Sequence, residues 1–388
     1  DLHSFPTRRS SDLVGAKNSY ISSIDDVFRV KERDGWDPLA GVMSRGWNTF
    51  TMGATFANIV VGLGGVKTSD LLTAAKYQPY IKAKNYLGRR LQDHWPSYTN
   101  DPYTGFFMDG LPYSIDPRFF TVYTLPLDDE HSFNPTTVKK DGKDVVNKDS
   151  IFYLYKVAEQ VPEGAKPTKV DSINVKYAIN GYSNGSWGDA GSANGALSVS
   201  YKTAPVISKQ YRKSENYRVF FGNWESFFLI AEAALRGWNV AMPAKTAYEN
   251  GIKASFAYNK ADESKLSDYL KSEDYNRVGT SVNWDHTAEP PASVEMDIVN
   301  GYTHKAEKYT YKYPVASQTL YGKALNDHLS KIITQKYIAQ MPWLALEVWS
   351  DHRRLGLPFF ENPAVEKPLT RMTWLRRQIG RASCRERV

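Results

Sequence analysis

Residues 222–259, GNWESFFLIAEAALRGWNVAMPAKTAYENGIKASFAYN, decide how the whole chain is read, because they encode two helices folded back on each other. In the first half, Phe227, Phe228, Ile230, Ala231, Ala234 and Leu235 recur at spacings of three and four. That spacing lays an apolar stripe along one face of a helix over about 224–236. Asn223 is the expected N-cap, and Glu225 in the first turn complements the positive end of the helix dipole. Gly237 stops the helix, and Pro243 suits the first position of the next. The second helix pairs small with large residues one turn apart: Ala247 with Tyr248, Gly251 with Ile252, Ser255 with Phe256. Small residues at that interval let a neighbouring backbone approach closely. A helix pair joined by a short loop is the unit of tetratricopeptide-type arrays, so it specifies a scaffold and no chemistry.

Toward the C-terminus a second pair is expected. Leu325, Leu329, Ile332, Ile333, Lys336 and Tyr337 fall in helical register over 323–341, Pro342 interrupts, and 343–354 resumes. In 347–354, Glu347, Asp351 and Arg354 stand three or four residues apart, a spacing that pairs charges along one helix face. Arg353 and Arg354 are expected to tie this last helix to a loop.

Toward the N-terminus, 48–60 reads as a helix, followed by a glycine-rich turn at 62–68. Residues 71–94 read as an amphipathic helix, with Tyr80, Ala83, Lys84, Leu87, Leu91 and His94 on one face after Pro79. Residues 95–120 interleave aromatics with Pro, Gly, Asp and Asn, which marks an ordered loop layer. A small hairpin fits around Asp141 and Gly142 in 139–149. Residues 177–196 are a second Gly, Ser and Asn-rich loop around Trp187, and 260–291 reads as a polar linker carrying Trp284.

The two ends are foreign to this pattern. The DNA that encodes residues 1–13, DLHSFPTRRSSDL, also encodes residues 379–388, IGRASCRERV, on its opposite strand in another frame. One fragment joined at both ends accounts for both peptides, and it resembles a sequencing-library adapter, so both tails are set aside. Without them the formal charge falls from +7 to +5, and Cys384, the only cysteine of the 388-residue chain, is removed. The remaining chain offers no disulfide framework and no thiolate chemistry. Its mild charge, with no basic stripe interleaved with aromatics, argues against a nucleic-acid partner. No run of about eighteen apolar residues encodes a membrane-spanning helix.

Several catalytic motifs are approached without being met. Gly181, Ser183 and Gly185 match G-x-S-x-G, but that motif needs a following helix, and the glycine-rich residues 186–191 do not start one. Gly62, Gly64, Gly65, Lys67 and Thr68 invite a phosphate-loop reading, but Val66 stands where the pattern requires Gly before Lys. The seven histidines show no metal-ligand spacing, and Asp128, Asp129 and Glu130 read as a solvated turn rather than a calcium site. No metal or cofactor is expected.

Taken together, NWESFFLIAEAALRGW, AYENGIKASF, IITQKYIAQMPWLALEVWSDHRRLGLP, LGRRLQDHWPSYTNDPYTGFF and LPYSIDPRFF resemble the SusD/RagB family of outer-membrane nutrient-binding lipoproteins over most of 36–360. The resemblance implies a mainly α fold in which tetratricopeptide-like helix pairs form a scaffold below a large loop-rich face. It implies one domain over 14–378: helices and loops in 14–125, a loop-rich insertion in 126–215, and helices with the C-terminal motif in 216–360. It further implies a binder rather than a catalyst, a lipid anchor on a cysteine upstream of this fragment, and a surface position at the outer membrane. The implied partner is a SusC-like, TonB-dependent barrel over which the protein acts as a lid.

Residue chemistry agrees with a glycan or peptide ligand. Sugar rings stack their C–H faces on Trp and Tyr while their hydroxyls bond to amides and charged groups. Aromatics make up 13% of the chain, with 10 Trp and 25 Tyr, many of them in loop-like segments. Trp95, Tyr98, Asn100, Tyr103, Tyr182, Asn184, Trp187 and Trp284 are therefore the expected ligand contacts. Oligosaccharide capture is the first reading; peptide capture of the RagB type, or a glycan hydrolase with unidentified carboxylates, are the alternatives. An intracellular tetratricopeptide adaptor is disfavoured by the long aromatic loops.

Overall fold

The backbone must bury the apolar stripes of residues 222–259 against something, and the structure shows what. The computed structural model describes residues 20–31, 52–90, 106–107, 109–126, 137–146, 151–155, 165, 168–174, 176–179, 205–212, 217–300 and 303–360. Among these, the helices in chain order are α1 Ala54–Val60, α2 Thr68–Leu71, α3 Phe119–Val122, α4 Asn223–Leu235, α5 Ala244–Asn259, α6 Leu266–Lys271, α7 His328–Gln340 and α8 Ala345–Leu355. The strands are β1 Phe28–Lys31, β2 Tyr86–Arg90, β3 Phe106–Phe107, β4 Tyr123–Thr124, β5 Thr137–Lys140, β6 Lys143–Val146, β7 Ile151–Tyr155, β8 Lys169–Asn174, β9 Val206–Ile207, β10 Tyr217–Phe221, β11 Ser293–Asn300 and β12 Ala306–Lys312.

The helices form the scaffold. α4 packs on α5 and on α7, and α8 packs on α7. Every expected small–large pair of α5 is buried, and the close approach is measurable: a Cβ placed on Gly251 would lie 2.7 Å from Cε1 of Phe228 in α4. The helix ends sit one residue from their expected places. Gly222 is the N-cap of α4, while Asn223 begins the helix and its Oδ1 accepts from the Trp224 amide at 3.1 Å. Pro243 is the N-cap of α5 rather than its first residue. One large core runs from Val27 to Phe359 and includes Trp224, Phe228, Tyr248, Phe256 and Ile332.

The strands are short and mostly paired in twos: β1 with β10, β4 with β9, β5 with β6, and β7 with β8. The β5–β6 pair is the expected hairpin. Asp141 and Gly142 at its turn both have positive φ, 51° and 77°, which gives the twist of a two-residue hairpin loop. The glycine-rich turn between α1 and α2 is also as expected, with Gly62, Gly64 and Gly65 all at positive φ.

Two expectations fail. The helix over 71–94 does not form; in its place stand the end of α2, a 3-10 turn at Gln78–Tyr80, and β2, with residues 91–94 outside the described residues. Pro79 and the left-handed backbone at Asn85 (φ 59°) and Gly88 (φ 107°) break the register, and β2 pairs between β11 and β3 in a four-stranded sheet. That sheet covers a second small core of Leu87, Phe106, Met296, Ile298 and Tyr311. The stretch 260–291 is no solvated linker either. It holds α6 and a loop that buries Val278, Thr280, Ser281 and Val282.

Lys331 of α7 holds that loop. Its ammonium nitrogen lies 2.9 Å from Ser281 O, 2.7 Å from Ser281 Oγ and 2.7 Å from Asn326 Oδ1, and the side chain is fully buried. Burial pushes the Lys331 pKa down to about 7, against the pull of Asp327 and Glu289.

Two outcomes are expected. Gly251→Val, by driving methyl groups into Phe228, lowers unfolding free energy in urea by about 1–3 kcal/mol or more; Gly251→Ala loses less, because its helix propensity, about 1 kcal/mol better, offsets the clash. An unchanged midpoint for the Val variant would remove the close approach from the account. For Lys331, the unfolded chain holds a proton above pH 7 that the folded chain has released. Stability therefore rises from about pH 7 to about pH 9.5, by roughly 3 kcal/mol from this group, and Lys331→Met flattens that rise.

Candidate functional site

Among the described residues, the helix scaffold leaves one face of α4 uncovered, and that face borders a cleft of about 1050 Å³ whose other walls come from α7, α8, β10 and the loop after α4. Its floor is polar because α4 carries carboxylates on the face turned toward α7 and α8. Glu225 and Glu232 are both buried, although the apolar stripe would place only hydrophobic residues there.

Two ion networks fill the floor. Lys336 of α7 bridges Glu225 Oε1 at 2.9 Å and Asp351 Oδ2 at 2.7 Å, and Gln340 Nε2 donates to Glu225 Oε2 at 2.8 Å. Burial works against the Lys336 charge, but Glu225 and Asp351 outweigh it and hold its pKa above the ordinary lysine value. Burial lifts Glu225 above the usual carboxylate range even against Lys336, because the one ammonium is shared with Asp351. In the second network Arg354 grips Glu232 with both terminal nitrogens, Nη2 to Oε2 at 2.8 Å, and bonds Asp351 Oδ1 at 2.7 Å. Arg236 adds Nε and Nη2 bonds to Glu232 Oε1 at 3.0 and 2.6 Å. Burial raises Glu232, but Arg354 and Arg236 together bring it below the usual range. The hydrogen bonds that Arg354 donates to Glu232 and Asp351 raise its pKa despite its partial burial.

The Asp351–Arg354 pair is the expected bond along α8. The long-range partner differs from the expectation: Arg354 ties α8 to α4 and not to a loop. Glu232 of α4 is turned toward α8, and no local pattern in the sequence announces a partner 122 residues away.

The walls and lip are apolar. Phe220 and Trp238 are 57% and 61% exposed, and Leu229 faces the same opening. Exposed rings beside planar, hydrogen-bonding charged groups make a surface for a ligand with flat apolar faces and polar edges. Glu347 and Ser350 of α8 add polar groups at the far side.

Of the expected contacts, Trp95, Tyr98, Asn100, Tyr103, Tyr182, Asn184 and Trp187 lie outside the described residues, as do Ser183 and the acidic run 128–130. Trp284 is described, and its placement corrects the expectation. Its indole is 8% exposed, stacked at 4.0 Å on His328 and packed at 5.1 Å on Tyr248, so both of its surfaces serve the core. Trp238 is not among the expected contacts; the one signal for it in the sequence is Gly237, which ends α4 just before it. Among the described residues no group of three or more His, Cys, Asp and Glu could hold a metal ion, and no helix is long and apolar enough to cross a membrane.

A family model described as SusD-like, "Susd and RagB outer membrane lipoprotein", matches residues 175–381, more than half of the chain. The chain belongs to the SusD-like family, a family of outer-membrane lipoproteins. Among solved structures it is similar to a SusD homolog from Parabacteroides distasonis, at 22% identity over 90% of this chain and 48% of that one, with a TM-score of 0.49. A SusD homolog from Bacteroides vulgatus shares 22% identity over 90% of this chain and 46% of that one, with a TM-score of 0.39. A chitin-binding SusD homolog from Flavobacterium johnsoniae shares 27% identity over 41% of this chain and 28% of that one, with a TM-score of 0.27. The chain thus spans half or less of the length of these structures. No curated protein matches it.

Lys336→Met leaves the buried Glu225 without a cation and Asp351 with Arg354 alone, so it is expected to lower stability by about 3–5 kcal/mol in chemical denaturation. The double change Lys336→Met with Glu225→Gln removes that stranded charge and should lose less than the single. A double variant as unstable as the sum of its parts would show that packing, not charge, sets the effect.

Proposed function

We propose that the protein is a nutrient-binding lipoprotein of the outer-membrane surface, which captures an oligosaccharide without altering it and passes it to a SusC-like, TonB-dependent barrel. The observation that carries this reading is the aromatic-lipped cleft with an ion-paired floor, in a chain of the SusD-like family. Pyranose rings offer flat C–H faces to Phe220 and Trp238, while ring hydroxyls meet the edges of Arg236, Glu347 and Ser350. In this proposal the helix pairs α4–α5 and α7–α8 act as a tetratricopeptide-like scaffold for one domain over 14–378. The loop residues Trp95, Tyr98, Asn100, Tyr103, Tyr182, Asn184 and Trp187 stay within it on composition alone.

The floor carboxylates support binding without turnover. A glycosidase needs one carboxylic acid kept protonated near neutral pH and a second, ionised partner, both open to the glycosidic bond. Glu232 is held ionised by two arginines, and Glu225 is occupied below it by Lys336 and Gln340. Neither is placed to give up a proton to a leaving group.

Titration calorimetry against oligosaccharides and peptides, followed by product analysis after prolonged incubation, tests the reading. The expected result is a Kd of roughly micromolar order for at least one glycan, with that glycan recovered intact. Shortened products would show an enzyme, and binding confined to peptides would replace the glycan reading with peptide capture.

A further inference from the structure

The charges of the cleft select among glycans. Four carboxylates line it, Glu225, Glu232, Glu347 and Asp351, against three cations, Lys336, Arg236 and Arg354. Each of these cations is already bonded to at least one of the carboxylates, at 2.6–2.9 Å for Lys336–Glu225, Lys336–Asp351, Arg236–Glu232 and Arg354–Asp351. Glu347, exposed on α8, is the carboxylate left over. A uronate or sulfated sugar entering the cleft would meet an excess negative charge, and at Arg236 or Arg354 it would compete with the carboxylates already seated there. Displacing one of them would take from Glu232 or Asp351, both buried, one of the two cations that hold it. A neutral sugar needs no displacement: its C–H faces take Trp238 and Phe220, and its hydroxyls donate to Glu347, whose oxygens only accept.

Resting on the glycan-binding reading above, we propose that this cleft is a site for neutral oligosaccharides that excludes acidic ones, with Trp238 as the stacking platform and Glu347 as the group that enforces the exclusion. The local field decides this in spite of the positive charge of the chain as a whole, because charges further away than about 8 Å are largely screened at physiological salt. The excess sits within the cleft itself.

The test is titration calorimetry of the full chain with cellohexaose, maltohexaose and xylohexaose against hexagalacturonate and a hexameric alginate, at about 0.15 M salt. The neutral oligosaccharide that binds best is expected to exceed both acidic ones by about tenfold or more. Trp238→Ala should weaken that neutral ligand by about tenfold, while Glu347→Gln should narrow the gap between neutral and acidic ligands by about threefold or more without weakening the neutral one as far as Trp238→Ala does. Far-ultraviolet circular dichroism and the unfolding midpoint confirm that each variant is folded, and both side chains are exposed enough for that to be expected. Acidic ligands bound as tightly as neutral ones would overturn the selectivity while leaving glycan binding in place. Neutral binding untouched by Trp238→Ala would overturn the placement in this cleft, again leaving glycan binding in place. No binding by any of the five would overturn the functional reading and the selectivity together.

Discussion

The guanidinium of Arg118 is the point at which the separate parts of this fold are fastened. It is wholly buried at the N-cap of α3 and directs its donors to four places. Nε and Nη2 bond Asp116 at 3.0 and 2.7 Å, Nη1 bonds Ser255 of α5 at 3.0 Å, and Nη2 also reaches Tyr269 of α6 and Gln335 of α7 at 3.0 and 2.7 Å. Burial opposes the charge, but Asp116 and the hydroxyl of Tyr269 more than offset it and hold the Arg118 pKa above its ordinary value. Burial first, and then Asp116, raises Tyr269 well above the phenol range, so its hydroxyl stays protonated and donates. A buried ion pair of this kind adds little net stability over a well-packed apolar substitute. Its contribution here is geometric: a planar fork with fixed donor directions is satisfied by only one relative placement of α5, α6 and α7.

The same reasoning explains why α7 is buried on nearly every side although half of it is polar. Ser330, Lys331, Thr334, Gln335, Lys336 and Gln340 are all buried. Its long side chains answer to three different neighbours: Lys331 to the loop at Ser281, Gln335 to the Arg118 centre, and Lys336 with Gln340 to Glu225 of α4. Apolar residues such as Ile332 and Ile333 fill the spaces between these bonds. α7 is thus the member that joins the Arg118 centre on one side to the floor of the cleft on the other. A substitution in either network is felt along a single rigid helix.

How far the sequence discloses this depends on whether the deciding contact is local. The α4–α5 pair was legible because spacing, Gly237 and the small residues Ala247, Gly251 and Ser255 are all near-neighbour signals. Ser255 shows the limit: its small size is readable, but its use as the acceptor for Arg118, 137 residues away, is not. Residues 71–94 were misread because Leu87 fits a helical stripe and a strand equally well, and the choice was made by β11, more than 200 residues later. Trp284 was misread for a related reason. Its polar, loop-like surroundings suggest exposure, whereas Tyr248 and His328, which cover it, come from α5 and α7. Of the candidate site, the Asp351–Arg354 pair was visible along α8, and the acceptors it shares across the cleft were not.

The cleft and the scaffold are consequences of the same break in the chain. α4 must end for α5 to fold back, and it ends at Gly237, whose φ of 77° turns the backbone out of the helix without a steric cost that a side chain would incur. The next residue is Trp238, which therefore leaves the helix pointing away from the core and stands at the lip of the cleft. One turn back, Glu232 and Arg236 are bonded to each other and Glu232 to Arg354 of α8, so the base of the platform is fixed on both sides. An exposed indole on an otherwise mobile turn would lose much of its binding energy to ordering. Here the backbone that carries the indole is held between a helix end, where the Trp238 amide bonds Ala233 O at 3.1 Å, and an ion network, so the turn that allows the helix pair to form also fixes the base of the surface that the proposed sugar would meet.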